Sequence, residues 1–161
     1  MHHRILLKLI LLTILLTGVC SCARENDQIY EKTTAKEFQD VLLDAEFIIT
    51  ENNFRITNRL HIGEAIQERD ASDLPKNEVI LFCNIKMTKE ILKIEQQNIN
   101  FCPYKITVTE AADKIIIGTR LLPTRHRDSR MAEFSEKINT SLRAMVEYAA
   151  SEDLFLLEEN Q

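Results

Sequence analysis

Two cysteines, one histidine and a scatter of cations are the residues whose types and spacing bear on chemistry. Cys83 and Cys102 are separated by 18 residues. A bond between them would close a loop of that length and contribute about 3 kcal/mol by limiting the unfolded chain. Pairing needs the end of one strand beside the start of another. Without that geometry the two thiols act as small apolar side chains. Neither lies in a Cys-x-x-Cys pair or beside a cation, so nothing marks either as an activated thiolate.

His61 falls on the polar side of an alternating segment, with Arg55 and Arg59. Lys105 and Arg120, on two later segments, are placed to share that side. Together these five residues would give an open sheet face a cationic floor suited to a carboxylate or phosphate ligand. The plainer alternative is a solvated sheet face. His61 has no neighbour at general-base or metal-ligand spacing, so the expectation is no catalytic residue, no metal and no cofactor. A second basic cluster, Arg125, His126, Arg127 and Arg130, is offset by Asp128. It is a solvated loop or a contact for anionic head groups.

These residues must be positioned by elements that periodicity makes legible. Residues 29–33 read as a short strand. Thr34 and Glu37 have capping-box form, and Phe38, Val41, Leu42, Ala45, Ile48 and Ile49 follow at helical spacing. Residues 54–62 alternate, with Phe54, Ile56, Leu60 and Ile62 on one side and Arg55, Thr57, Arg59 and His61 on the other. A short helix over 63–69 and a polar loop over 70–75 come next. The continuous apolar run 79–83 reads as a covered central strand. Asn84 or Thr88 caps a helix running over 87–98. Residues 104–109 alternate with Tyr104, Ile106 and Val108 on one face, 110–113 form a hairpin loop, and Pro123 stops the returning strand. Asp128 or Ser129 caps a final helix carrying Met131, Phe134, Ile138, Leu142, Met145 and Ala149. This order predicts an α+β two-layer sandwich, with a mostly antiparallel sheet and helices packed on one face. The apolar stretch 154–157 is expected to pack back on that domain.

The chain has 161 residues, of which 45% are hydrophobic and 28% charged, a composition that suits one globular domain with a real core. Its formal charge is −5; without residues 1–21, which hold Arg4 and Lys8 and no acid, the balance is −7. Such an acidic domain is a poor nucleic-acid partner, because neutralising phosphates needs a basic surface. No Gly-rich phosphate loop, zinc-type cysteine spacing or internal repeat is present.

The N-terminus reads as an address. Arg4 and Lys8 precede a short apolar run, the pattern of a secretory signal, and that run is too short for the roughly 20 apolar residues of a spanning helix. Val19-Cys20-Ser21-Cys22-Ala23 then resembles a bacterial lipoprotein box. The small Ser21 before Cys22 places cleavage there and makes the Cys22 thiol the lipid attachment point; cleavage by an ordinary signal peptidase is the alternative. Each buried CH₂ of the acyl chains would contribute about 0.8 kcal/mol. By that resemblance, Ala23 rather than Asp implies the outer membrane, facing the periplasm. The expected organisation is a signal peptide over 1–21, a tether over 22–28, one α+β domain over 29–157 and a polar tail over 158–161.

Four segments in order also resemble the domain of unknown function 302 family. They are Asn52-Asn53-Phe54, Leu60-His61-Ile62-Gly63-Glu64-Ala65, Ile80-Leu81-Phe82-Cys83-Asn84 and Pro103-Tyr104-Lys105-Ile106. The resemblance covers residues 29–123. Family members commonly have Gly-Asn-Pro where this chain has Cys83-Asn84-Ile85. It implies a small α+β domain, often dimeric, with no established activity. The combined expectation is a membrane-anchored envelope lipoprotein whose domain binds a small ligand, an envelope protein or a second copy. The competing reading is an enzyme or redox accessory working through His61 or the Cys83/Cys102 pair.

Overall fold

A computed structural model describes residues 29–71 and 74–152. The elements are β1 (Ile29–Thr34), α1 (Phe38–Glu51), β2 (Arg55–His61), α2 (Ile62–Asp70), β3 (Asn77–Cys83), α3 (Ile85–Ile94), a 3-10 turn (Gln96–Phe101), β4 (Tyr104–Ala111), β5 (Lys114–Arg120) and α4 (Ser129–Ala150). The five strands form one antiparallel sheet in the order β1-β5-β4-β3-β2. The fold is α+β, as the periodicity predicts.

Alternation explains which sheet face is covered. Ile80, Phe82, Tyr104, Ile106, Val108, Ile115 and Ile117 point to one side, where α1 and α4 pack. The helices answer with Val41, Leu42, Ala45 and Ile49 from α1 and Ile138, Leu142, Met145 and Ala149 from α4, all buried. Fully burying each large side chain of this set stabilises the fold by roughly 1.5–3 kcal/mol. Phe54, Phe82 and Tyr104 meet edge to face or tilted, with ring centroids 5.6–6.0 Å apart. The opposite face carries Val79, Leu81, Thr107, Thr109 and Ile116, all partly exposed.

Three local expectations are corrected. Thr34 does not cap α1: it stays in β1 opposite Ile115, and its hydroxyl accepts the Lys36 amide at 3.2 Å, so α1 begins after Glu37 without a side-chain cap. The helix predicted to reach residue 98 stops at Ile94, because Glu95 is extended. Buried Asn98 then donates to the Ile91 carbonyl at 3.0 Å, satisfying an end group of α3 from the 3-10 turn. The last strand, expected to run to Leu122, ends two residues earlier at Arg120. At the helix starts, Asn84 accepts from the Met87 amide and Asp128 from the Arg130 amide, choosing one of the two expected caps in each case. The apolar stretch 154–157 lies outside the described residues.

Gly63 is required by close approach. A Cβ there would lie 2.9 Å from the Asn77 amide nitrogen and 3.0 Å from the Pro75 carbonyl, both fixed backbone where β3 enters the sheet.

Candidate functional site

The polar side of β2 is divided by a β-bulge. Arg55 and Ile56 pair with Cys83 and Phe82, but Asn58 pairs with Leu81 and Arg59 with Ile80, so Thr57 is the extra residue. The Thr57 hydroxyl donates to the Leu81 carbonyl at 3.1 Å, and Asn58 Oδ1 accepts from the Arg59 amide at 2.8 Å. One extra residue reverses every side chain that follows. Arg59 and His61 therefore turn to the helix-covered side, while Leu60, opposite Val79, turns to the open side.

On the covered side the cations meet carboxylates that sequence reasoning did not identify. Arg59 Nε donates to Glu78 Oε2 at 2.5 Å and Arg59 Nη1 to Glu46 Oε1 at 2.7 Å. The Glu78 hydrogen bond, followed by charge attraction to Glu78 and Glu46, outweighs burial and holds the guanidinium above its ordinary pKa. His61 Nδ1 lies 3.3 Å from Glu78 Oε1 and is about half exposed. Arg59 is thus a clasp between β2, β3 and α1, with both ends of its fork occupied. The five-residue cationic floor is not assembled as expected.

Arg55, Lys105 and Arg120 do share the open face. Arg55 lies opposite Cys83, Lys105 opposite Leu81, and Arg120 opposite Ile29. Lys105 and Arg120 each sit one position beyond the Ile106–Thr119 pair, hence on neighbouring strands. Arg120 is engaged in an interaction of its own. Arg55 is exposed and Lys105 partly so. All three lie at the end of the sheet where the chain enters at Ile29.

The same end holds the cysteines. The structure brings Cys83 and Cys102 to disulfide distance, with Cα atoms 6.0 Å apart, at the shared end of adjacent strands β3 and β4. Cys83 is buried, and its sulfur also lies 3.1 Å from the Thr88 hydroxyl. Asn84, next in sequence, donates to the Asn53 carbonyl at 3.0 Å and ties α3 to the α1–β2 turn.

The basic loop after β5 is pinned from several directions. Buried Asn139 donates to the Leu122 carbonyl at 2.9 Å and accepts its amide at 2.7 Å. His126 Nε2 contacts the Pro123 carbonyl at 2.6 Å and the Ser135 hydroxyl at 3.0 Å, and its ring stands edge-on to Phe101. Arg130 is neutralised by Asp128, whose carboxyl is held down at about 2, chiefly by the Arg130 side-chain hydrogen bond.

A model of the family described as domain of unknown function DUF302 matches residues 30–148. The chain belongs to the DUF302 family. A DUF302 relative supports the architecture: the crystal structure of an uncharacterised conserved DUF302 protein from Bacillus stearothermophilus superposes with a TM-score of 0.69 at 17% identity, covering 76% of this chain and 98% of that one. At that identity the likeness shows the DUF302 fold alone. No curated protein matches the chain.

Among the described residues no cluster of three or more His, Cys, Asp or Glu side chains could hold a metal ion. Nor is any helix among them long and apolar enough to cross a membrane. Cys22 and the tether over 22–28 lie outside the described residues.

Proposed function

We propose that this DUF302 protein is a bacterial envelope lipoprotein, acylated at Cys22 and held at the outer membrane facing the periplasm. Its domain binds an anionic small ligand or the acidic segment of an envelope partner, and performs no chemistry on it. The observation that carries the binding reading is the open sheet face. Val79, Leu81, Thr107 and Ile116 remain partly exposed there, with Arg55, Lys105 and Arg120 along one end. Partly exposed apolar side chains edged by cations suit a partner that carries carboxylate or phosphate groups. The cysteine geometry supports the address, because a structural disulfide belongs to an oxidising compartment such as the periplasm.

Two measurements test the two halves of this reading. Cells fed radiolabelled palmitate are expected to label the wild-type chain and not Cys22→Ala; an unlabelled wild type rejects the anchor. Native mass spectrometry of the detergent-extracted protein is expected to show a retained ligand, partner or second copy that Arg55→Gln/Lys105→Gln loses. An adduct unaffected by that double substitution removes the open face from the proposal.

One contact favours an enzymatic alternative. A His61 imidazole 3.3 Å from the Glu78 carboxylate is an arrangement that can orient a general base. Glu78 is also committed to Arg59 at 2.5 Å, which makes the pair serve packing first. An adduct of altered mass that forms with wild type and not with His61→Gln would favour this alternative.

A further inference from the structure

The end of the domain at which the chain enters has an unusual surface. Ile29, the first described residue, is 57% exposed; Ile85 is 70% and Ile99 49% exposed. Topology places all three at that end. Ile29 pairs with Arg120, Ile85 follows the end of β3 by two residues, and Ile99 lies in the 3-10 turn that leads back into β4. Met87, Thr88 and Ile91 seat α3 on the domain, leaving its other side outward. A shallow groove of about 350 Å³ runs along α3, lined by Ile85, Lys89, Leu92, Lys93 and Gln96, with buried Thr88 at its inner edge.

Two of the cations beside these apolar groups, Lys86 and Lys89, are not explained by helix stability, whereas Lys93 lies in the last turn of α3, where it suits the helix dipole. Lys86 lies in the first turn of α3, which has no acidic residue, so its charge adds to the positive end of the helix dipole. Lys86 and Lys89 have no ion pair among the described residues, and Lys93 pairs only with exposed Glu90. The opposite end carries more acid than base, with Glu64, Glu68 and Asp70 against Arg69 on α2, and Glu110 and Asp113 against Lys76 and Lys114 around the β4–β5 turn. An acidic domain with one lysine- and isoleucine-bearing end has a defined orientation before an anionic surface.

We propose that this end docks on a lipid bilayer rich in anionic head groups. Ile29, Ile85 and Leu92 enter the interface, and Lys86, Lys89 and Lys93 meet the phosphates. Charge complementarity and the entry of the chain at Ile29 single out the bilayer among possible occupants. The inference rests on the anchoring reading above for how the domain reaches the membrane. Docking stands the sheet upright, leaving its open face accessible from the side in the layer nearest the lipid.

The test is lysine acetylation footprinting of the membrane-extracted full-length protein, reconstituted into vesicles of phosphatidylcholine alone or with phosphatidylglycerol. Slower acetylation of Lys86, Lys89 and Lys93 on the anionic vesicles is expected, with Lys76 and Lys114 at the far end unchanged. Raised salt should abolish that protection. Lys86→Gln/Lys89→Gln/Lys93→Gln changes only exposed residues and should weaken the preference for anionic vesicles on the order of 100-fold, at roughly fivefold per lysine. Equal acetylation on both vesicle types overturns the proposal, as does protection of Lys76 and Lys114 instead. Protection of the three lysines without vesicles, accompanied by a dimer mass, also overturns it and assigns the end to a second copy. The footprint is read independently of palmitate labelling at Cys22. A protected but unlabelled chain therefore rejects the anchor and keeps the docking, and a labelled but unprotected chain does the reverse.

Discussion

Arg59 stands opposite Ile80 across the β2–β3 ladder, one register step from where unbroken alternation would put it. That shift turns a candidate ligand cation into a structural clasp, because Ile80 belongs to the buried core and Arg59 shares its side of the sheet. Replacing Arg59 with Met keeps the stem and removes the charge, leaving Glu46 and Glu78 to face each other. The pair is partly screened, so the cost lies between that of exposed and fully buried ion pairs, at about 2 kcal/mol. Urea unfolding is the check. A midpoint unchanged from wild type would mean that the two carboxylates relax into water at no cost.

Cys83 and Cys102 carry the second prediction. If their sulfurs are bonded, the intact mass of the purified protein is two hydrogens below the fully reduced value. Loss of the bond in Cys83→Ala/Cys102→Ala should then destabilise the domain by about 3 kcal/mol, the contribution of a loop of this size. Both thiols reacting with an alkylating reagent in the native, non-reduced protein would return the pair to small apolar packing. The bond would close the β3–β4 connection at its base, where α3 and the 3-10 turn leave the sheet.

The layer order and the core were legible because each depends on periodicity repeated over several residues. Val41, Leu42, Ala45 and Ile49 define a stripe at helical spacing, and Tyr104, Ile106 and Val108 define a strand face, so no single residue decides either. The candidate site was less legible because one inserted residue decides it. Asn58 was the available signal: it falls in the apolar phase of Phe54, Ile56 and Leu60, where a polar side chain marks a break in the ladder. Glu46 and Glu78 carried no signal, since their importance comes only from tertiary approach to Arg59. The Thr34–Glu37 capping box failed for a similar reason, as sheet pairing of Thr34 with Ile115 overrides the local option.

Tyr104 has a buried hydroxyl with no hydrogen-bond partner among the described residues. Burial pushes its phenol well above the ordinary range, because the charged form would have to exist among Phe54 and Phe82. An unsatisfied buried polar group costs about 1–3 kcal/mol, and phenylalanine fills the same space without it. Tyr104→Phe is therefore expected to raise stability by about 1 kcal/mol, measured by chemical unfolding. A loss of stability would reveal a hydrogen bond made by this hydroxyl in solution.

Asp128 supplies a pH dependence with a defined sign. Its carboxyl is lowered from 3.8 to about 2, first by the Arg130 side-chain hydrogen bond and then by the Arg130 backbone amide it caps. A carboxyl whose folded pKa lies below its unfolded value stabilises the fold above the unfolded pKa, and that contribution disappears as pH falls through the folded pKa. The cap of α4 should accordingly hold at neutral pH and weaken between pH about 4 and about 2. A carbon-detected NMR titration of the Asp128 carboxyl is expected to show a midpoint near the low end of that window. Arg130→Gln should move the midpoint up while leaving the backbone part of the shift. An unshifted midpoint in the wild type would show that solvent competes successfully for this exposed pair, and α4 would then begin without an acid-sensitive cap.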